Sequence, residues 1–227
     1  GQHPGSPAFR RPMPMAQPSS TLPSTPPARL FTPLRLGPLE LTNRIMVSPM
    51  CQYSAAEGLP VPWHLVHLGG LAVSGAGLLC LEATAVTAAG RITPGCLGLY
   101  GDVHEAALAQ LVRSLRTVSR IPLALQLSHA GRKASSRVPW AGGALIPPGD
   151  GGWEPIAPSA IPQRPDEPAP RAMDAGDLRA VVDAFARAAE RACSIGFDAL
   201  EVHMAHGYLM HQFLSPLANH RSDEYGG

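Results

Sequence analysis

A charge imbalance is missing from this sequence. Eighteen basic residues stand against seventeen acidic ones, for a formal net charge of +1. No electrostatic footprint for nucleic acid or an anionic membrane surface is therefore expected. Long apolar runs are missing as well, and none is long and charge-free enough to span a bilayer. The four cysteines, Cys51, Cys80, Cys96 and Cys193, form no CxxC pair. Such spacing suits a reduced, intracellular, cytoplasmic protein better than a disulfide framework. Neither a GxGxxG nor a Walker-type phosphate loop occurs, which argues against a Rossmann nucleotide site. What remains is ample for a core: 45% of the 227 residues are hydrophobic, enough for one large domain or two small ones.

Proline is abundant, and its placement is informative. Residues Gly1 to Ala28 hold eight of the 25 prolines, and Arg10 and Arg11 are their only charged side chains. Such a segment cannot bury enough apolar surface to fold, so residues 1–28 are expected to be disordered. A transit peptide would also lack acids, but the prolines oppose the amphipathic helix it needs. A start at Gly rather than Met reads as a processed or trimmed end.

From Arg29 onward the pattern changes. Leu34 to Leu41 reads as a small hairpin turning at Gly37-Pro38. Asn43 to Ser48 reads as a first buried strand ended by Pro49, Pro62 to Ser74 as a helix, and Gly77 to Thr84 as a second buried strand. A helix over about Val103–Val118 leads to a third strand, Leu123–Ser128. A long Gly/Pro-rich insertion, His129 to Arg171, follows, and its Trp140 and Trp153 are placed to cover a site as a lid. Asp174 to Ile195 keeps a 3.6-residue apolar stripe, has aspartates at its start and ends at Gly196, which predicts a helix. Leu200 and Val202 then mark a fourth strand.

Apolar strands alternating with helices predict an α/β fold with a parallel sheet. Each strand ends in polar residues, as in a (β/α)8 TIM barrel, whose active site lies at the strand carboxyl ends. A closed barrel needs eight strands and typically about 250 residues. Residues 29–227 supply four β/α units, the N-terminal half of such a barrel. The strand ends carry Ser48-Pro-Met-Cys-Gln-Tyr53, then Glu82-Ala-Thr84, then Gln126 with His129, Arg132 and Lys133, and finally His203, His206, Tyr208 and His211. Gly207 permits a tight turn among the last group. Each residue also has a plainer reading: Cys51 as a small buried hydrophobe, Gln126 as an ordinary strand-end residue, Tyr53 as a loop tyrosine packed on its neighbours, and the histidines as satisfied surface or core groups. Arg132 and Lys133 are adequately explained as solvated loop charges, and Cys80, Cys96 and Cys193 as core or loop thiols.

Six ordered motifs resemble the Old Yellow Enzyme family, most closely its YqjM-like and xenobiotic-reductase-like ene-reductases. They are Ser48–Tyr53, Gly90–Pro94, Gln126–Lys133, Ala157–Ile161, His203–Leu209 and Phe213–Gly227. The resemblance implies an FMN-dependent enzyme, reduced by NADPH or NADH, that reduces the activated C=C bond of a small enone, or acts on a nitro compound. It implies that His203 and His206 hold the substrate oxygen and that Tyr208 donates the proton. Ser48, Pro49, Met50, Cys51, Ala83 and Gln126 would border the flavin, and Tyr53 would line the substrate. No metal is implied. The family binds the FMN phosphate with groups from barrel strands seven and eight and carries a further arginine after strand four; neither is present in these residues. Branch members share active-site residues between subunits, so a homo-oligomer is expected of a full-length parent.

Two other readings compete. A metal-dependent hydrolase barrel would use His203, His206 and His211, although their spacing matches no common zinc pattern. A half-barrel without catalysis of its own would expose strand edges and one flank of its sheet.

Overall fold

The computed structural model describes residues 28–226; residues 1–27, to which the expectation of disorder applies, lie outside them. After a 3-10 turn at Arg29–Phe31, β1 (Leu34–Leu36) and β2 (Leu39–Leu41) form the expected hairpin, with Gly37 at φ +58° in the turn. β3 (Met46–Val47) is shorter than the sequence suggests. The segment before it is held as a loop by Asn43, whose Nδ2 donates to Gly75 O at 2.9 Å while its Oδ1 accepts from the Ile45 N–H at 3.0 Å.

α1 (Pro62–Ala72), β4 (Leu78–Ala85), α2 (Asp102–Val118) and β5 (Leu123–Ser128) follow in order. Within the insertion, β6 (Ile156–Ala157) and β7 (Arg171–Ala172) make a short parallel pair. α3 (Ala175–Ile195) leads to β8 (Ala199–Val202), and α4 (Leu209–Leu214) is the last helix among the described residues. The α3 N-terminus is a capping box. The Asp177 N–H donates to the Asp174 carboxylate at 2.8 Å, and the Asp174 N–H donates to the Asp177 carboxylate at 2.9 Å. These bonds satisfy two backbone groups at the helix start. Gly196, at φ +96°, ends the helix in the left-handed region.

Four strands form one parallel sheet in the order β3-β4-β5-β8. Spatial order follows chain order without reversal, and a helix crosses between each neighbouring pair. A doubly wound sheet reverses direction at a switch point; a barrel wall does not. One face of the sheet packs Leu79, Leu81, Leu123, Leu125 and Leu127 against Leu108, Leu111, Leu115, Ala188 and Ala192 of the helices. Each fully buried leucine contributes about 1.5–3 kcal/mol. The other face carries Leu78, Cys80 and Ala124, floored by Leu34, Leu39 and Leu41 of the hairpin, with Ala199 beside them.

β8 departs from expectation. The sequence reads as a buried strand, yet Leu200 is 38% and Val202 47% exposed. β8 pairs with β5 on one edge, and among the described residues no strand pairs with its other edge. Apolar side chains signal a strand, but cover comes from neighbours.

Candidate active site

Parallel strands put their carboxyl ends on one side, so the loops after β3, β4, β5 and β8 meet there. A bulge sharpens the end of β4: Leu81 pairs with Leu125, but the next partners are Thr84 and Leu127. The bulge holds Glu82 and Ala83 and re-aims the Glu82 carboxylate. Glu82 is 5% exposed and lies 3.3 Å from His64 Nε2. Its other oxygen accepts from the Gln52 N–H at 3.1 Å. A buried pair from α1 and β4 thus fixes the loop that carries Cys51 and Tyr53.

The β8 end brings three sequence-identified residues together. His203 is buried, His206 exposed and Tyr208 half-buried. The His203 ring meets the edges of His206 and Tyr208 at centroid distances of 5.1 and 4.8 Å. The backbone selects the His203 tautomer: the Ala205 N–H donates to His203 Nδ1 at 3.2 Å, so Nε2 carries the hydrogen. That nitrogen lies 3.3 Å from His206 Nδ1. His206 then carries its hydrogen on Nε2, the outer end of a two-ring donor chain. Burial, and then the neighbouring His206, lower the His203 pKa from its ordinary value, so the ring is neutral at neutral pH. Burial also raises the Tyr208 pKa, reinforced by the nearby Cys51, Tyr53 and Cys96, so its hydroxyl keeps its proton.

Tyr53 and Tyr208 line one cavity of about 330 Å³ together with Thr93, Lys133 and Arg164. Burial, followed by the effect of Cys51, pushes the Tyr53 pKa up to about 12. Tyr53 and His206 have φ of 51° and 56°, two of the four non-glycine residues with positive φ among those described. Left-handed backbone at such residues is uncommon, and strain of this kind gathers at functional sites. The Trp140 ring packs edge-on against Tyr53 at 5.5 Å, which places this part of the insertion at the mouth. Trp153 instead donates from Nε1 to Ala89 O at 2.8 Å and stacks under Arg91, so it anchors the insertion to the loop after β4.

Lys133, which reads from the sequence as a solvated loop charge, stands at the site. Its Nζ donates to His206 O at 2.7 Å and stands 5.5 Å from the Tyr208 ring centroid. Burial, and then Arg132, lower its pKa. The only available signal was its place in the Gln126–Lys133 motif, since a basic pair in a loop is otherwise uninformative. His211, needed for a metal reading, accepts from the Gly207 N–H on Nδ1 at 2.8 Å. Among the described residues no group of three or more His, Cys, Asp or Glu side chains is placed to hold a metal ion.

On the inner face Gln126 is 6% exposed and donates from Nε2 to Glu201, while no described residue donates to its amide oxygen. Met50 is 55% exposed on the loop after β3, with Ser48 exposed beside it. A buried carboxamide with a free acceptor, a small Ala83 and an open apolar methionine suit a flat heteroaromatic ring whose edges both donate and accept.

Four successive β/α units with polar residues gathered at the strand carboxyl ends define the N-terminal half of a (β/α)8 barrel of the enzyme type. The sequence narrows that class: residues 29–227 match the model of the NADH:flavin oxidoreductase / NADH oxidase family, and the chain belongs to that family. It is 45% identical over 203 residues to an NADH:flavin oxidoreductase of Gibberella zeae, covering 88% of this chain and 49% of that protein. An NADPH dehydrogenase of Bacillus subtilis is 42% identical over 201 residues, covering 88% of this chain and 55% of that protein. Among solved structures, Old Yellow Enzyme from Pichia sp. superposes with a TM-score of 0.75 at 27% identity, over 88% of this chain and 52% of that one. Morphinone reductase in complex with tetrahydroNAD superposes with a TM-score of 0.74 at 32% identity, over 88% and 56% of the two chains. The chain thus spans about half the length of the relatives it matches.

Proposed function

We propose that this chain carries the substrate-activating half of an FMN-dependent NAD(P)H oxidoreductase that reduces the activated C=C bond of small α,β-unsaturated carbonyl compounds. The carrying observation is the His203–His206–Tyr208 cluster, with one ring nitrogen 3.3 Å from the next. Ser48, Pro49, Met50, Cys51, Ala83 and Gln126 would hold the flavin ring, with Gln126 offering a carboxamide to its polar edge. FMN held there and reduced by NADPH or NADH would supply hydride chemistry toward an activated alkene.

The protein's own residues do the rest. His203 and His206 hold the carbonyl oxygen as one donor chain, His203 donating from Nε2 to His206 Nδ1 and His206 offering its Nε2–H to the oxygen, where it stabilises the negative charge that grows. Tyr208, kept protonated by burial, donates a proton to the α-carbon. Tyr53 shares the Tyr208 cavity and would contact the substrate there. Lys133 fixes the turn through His206 O and brings a positive charge to the Tyr208 ring, a charge suited to the phenolate that remains. The reading also takes the protein to be cytoplasmic; among the described residues no helix is long and apolar enough to cross a membrane. A full-length parent would be a homo-oligomer.

One observation favours a second reading, an inactive half-barrel: the outer flank of β8, where Leu200 and Val202 stand exposed. An absorbance spectrum after mixing with FMN and removing free flavin separates the two. A retained oxidised-flavin band, bleached by NADPH and restored by cyclohexenone, is the expected result for a working site. Loss of all flavin on desalting, while a longer parent stays yellow, would establish the inactive reading. In a working form Tyr208→Phe should bind FMN normally and reduce the enone roughly 10²–10⁴-fold more slowly. Undiminished turnover would remove Tyr208 from the proton-donor role.

A further inference from the structure

Basic side chains gather at the mouth with little to neutralise them. Lys133, Arg137 and Arg164 line the cavity of about 330 Å³ that Tyr53 and Tyr208 share, and no acidic side chain lines it. Backbone carbonyls fix two of these cations. Lys133 Nζ donates to His206 O at 2.7 Å, and Arg164 Nη2 donates to Gly142 O at 2.7 Å. A neutral carbonyl holds a cation in place but does not cancel its charge. Arg137 is exposed at the rim. Among the described residues neither Lys133 nor Arg137 forms an ion pair.

The acids of the insertion do not reverse this. Glu167 Oε1 lies 3.9 Å from Arg164 Nε, but it already accepts from the Leu145 N–H at 3.0 Å. Glu154 stands 3.6 Å from Arg171, while Asp150 and Asp166 are exposed and outside the cavity lining. Arg132 adds a further positive charge behind Lys133 and is likewise held by a carbonyl, donating to Pro162 O at 3.4 Å. Burial raises the pKa of both Tyr53 and Tyr208, so they bring neutral hydroxyls and no competing anion.

We propose that this cavity takes the anionic end, a carboxylate or phosphate, of a small unsaturated carbonyl substrate. The inference rests on the reading of His203, His206 and Tyr208 given above and names the substrate class of that site. Lys133 Nζ stands 5.5 Å from the Tyr208 ring centroid, so an anion held there keeps a short chain beside the proton donor. Size points to a small acid and away from the nucleotide reductant. A cavity of about 330 Å³ is at the low end of small-ligand sites, which run from roughly 300 to 1,000 Å³. Cations of one sign in a concave site also raise the local concentration of such an anion.

The test uses the chain without flavin, so it does not depend on cofactor retention. The probes are 4-acetylbenzoate and its neutral near-isostere 4-acetylbenzamide, which carry the same ketone with and without the charge and leave thiols intact. NMR titrations observed on the protein give both dissociation constants, and shifts of the Thr93 and Ser136 N–H signals place the ligand. The acid should bind roughly tenfold more tightly, the worth of one charge-assisted hydrogen bond on a half-exposed group. Raising the salt from about 0.05 M to about 0.5 M should erase most of that preference. Arg164→Gln should narrow it as well, and the wild-type salt dependence stands whether or not that variant folds. Equal or undetectable affinities, a preference indifferent to salt, or shifts confined to other residues would each overturn the inference. Tighter binding of adenosine 2′,5′-bisphosphate than of the keto acid would assign the cations to the nucleotide and overturn it too. Equal affinities beside intact enone turnover would sink this inference alone; lost turnover beside an intact acid preference would sink only the catalytic reading.

Discussion

Leu125 and Leu200 occupy the same register row on neighbouring strands, with Leu81 completing it. Leu81 and Leu125 are fully buried, whereas Leu200 is 38% exposed. The difference does not lie in the residue type. β4 and β5 are backed by packed helices and flanked by strands on both edges, while β8 lacks a second strand among the described residues. The clad half of the sheet supplies stability, and the open end carries the polar cluster of His203, His206 and Tyr208. A parallel strand with both faces covered reads as continuous apolar sequence; β8 carries only half that pattern.

The largest effect should come from testing that row directly. Leu125→Ala should destabilise the chain by about 2–5 kcal/mol in urea unfolding, because it opens a cavity in a packed core. Leu200→Ala should cost less than about 1 kcal/mol, since its side chain already meets solvent. Equal losses would show that β8 is covered in solution.

Acid should come next. His129 is buried, and burial lowers its pKa from 6.5 to about 4. Between those values the unfolded chain binds a proton that the folded chain refuses, so stability rises with pH across this window. It is fully present above about pH 6.5 and lost progressively as pH falls toward 4, by roughly 3 kcal/mol if the ring stays buried. Melting temperatures from pH 7.5 to 4 check the slope, and His129→Gln should flatten it. An unchanged slope in that variant would assign acid sensitivity to other groups.

The smallest effect belongs to the capping box. Asp174→Ala removes the acceptor for the Asp177 N–H and should cost about 1 kcal/mol in the same unfolding assay. A loss as large as that of Leu125→Ala would mean that the α3 N-terminus bears on the core more than its exposed position suggests.

The helix over 175–195 was legible because every local signal agreed: paired aspartates, an apolar stripe and a terminal glycine. The two sheet strands that it links, β5 and β8, were legible from short apolar runs, whereas β7 just before it was not. Of the site, His203, His206 and Tyr208 were readable because polar residues at the end of an apolar strand have no packing reason to be there. Their motif order then pointed to the family. Lys133 was not readable, since it looked like a solvated loop charge. Its place arises from a contact to His206, a residue distant in the chain.

Local preference and periodicity, properties of neighbouring residues, are what the sequence alone determined: the order of helices and strands, the barrel class and the polar strand ends. Tertiary structure alone decided which apolar residues are covered, that Lys133 reaches the His206 turn, and which nitrogen of His203 carries its hydrogen. Each of these depends on groups brought together by closing long loops, and no local spacing encodes that geometry.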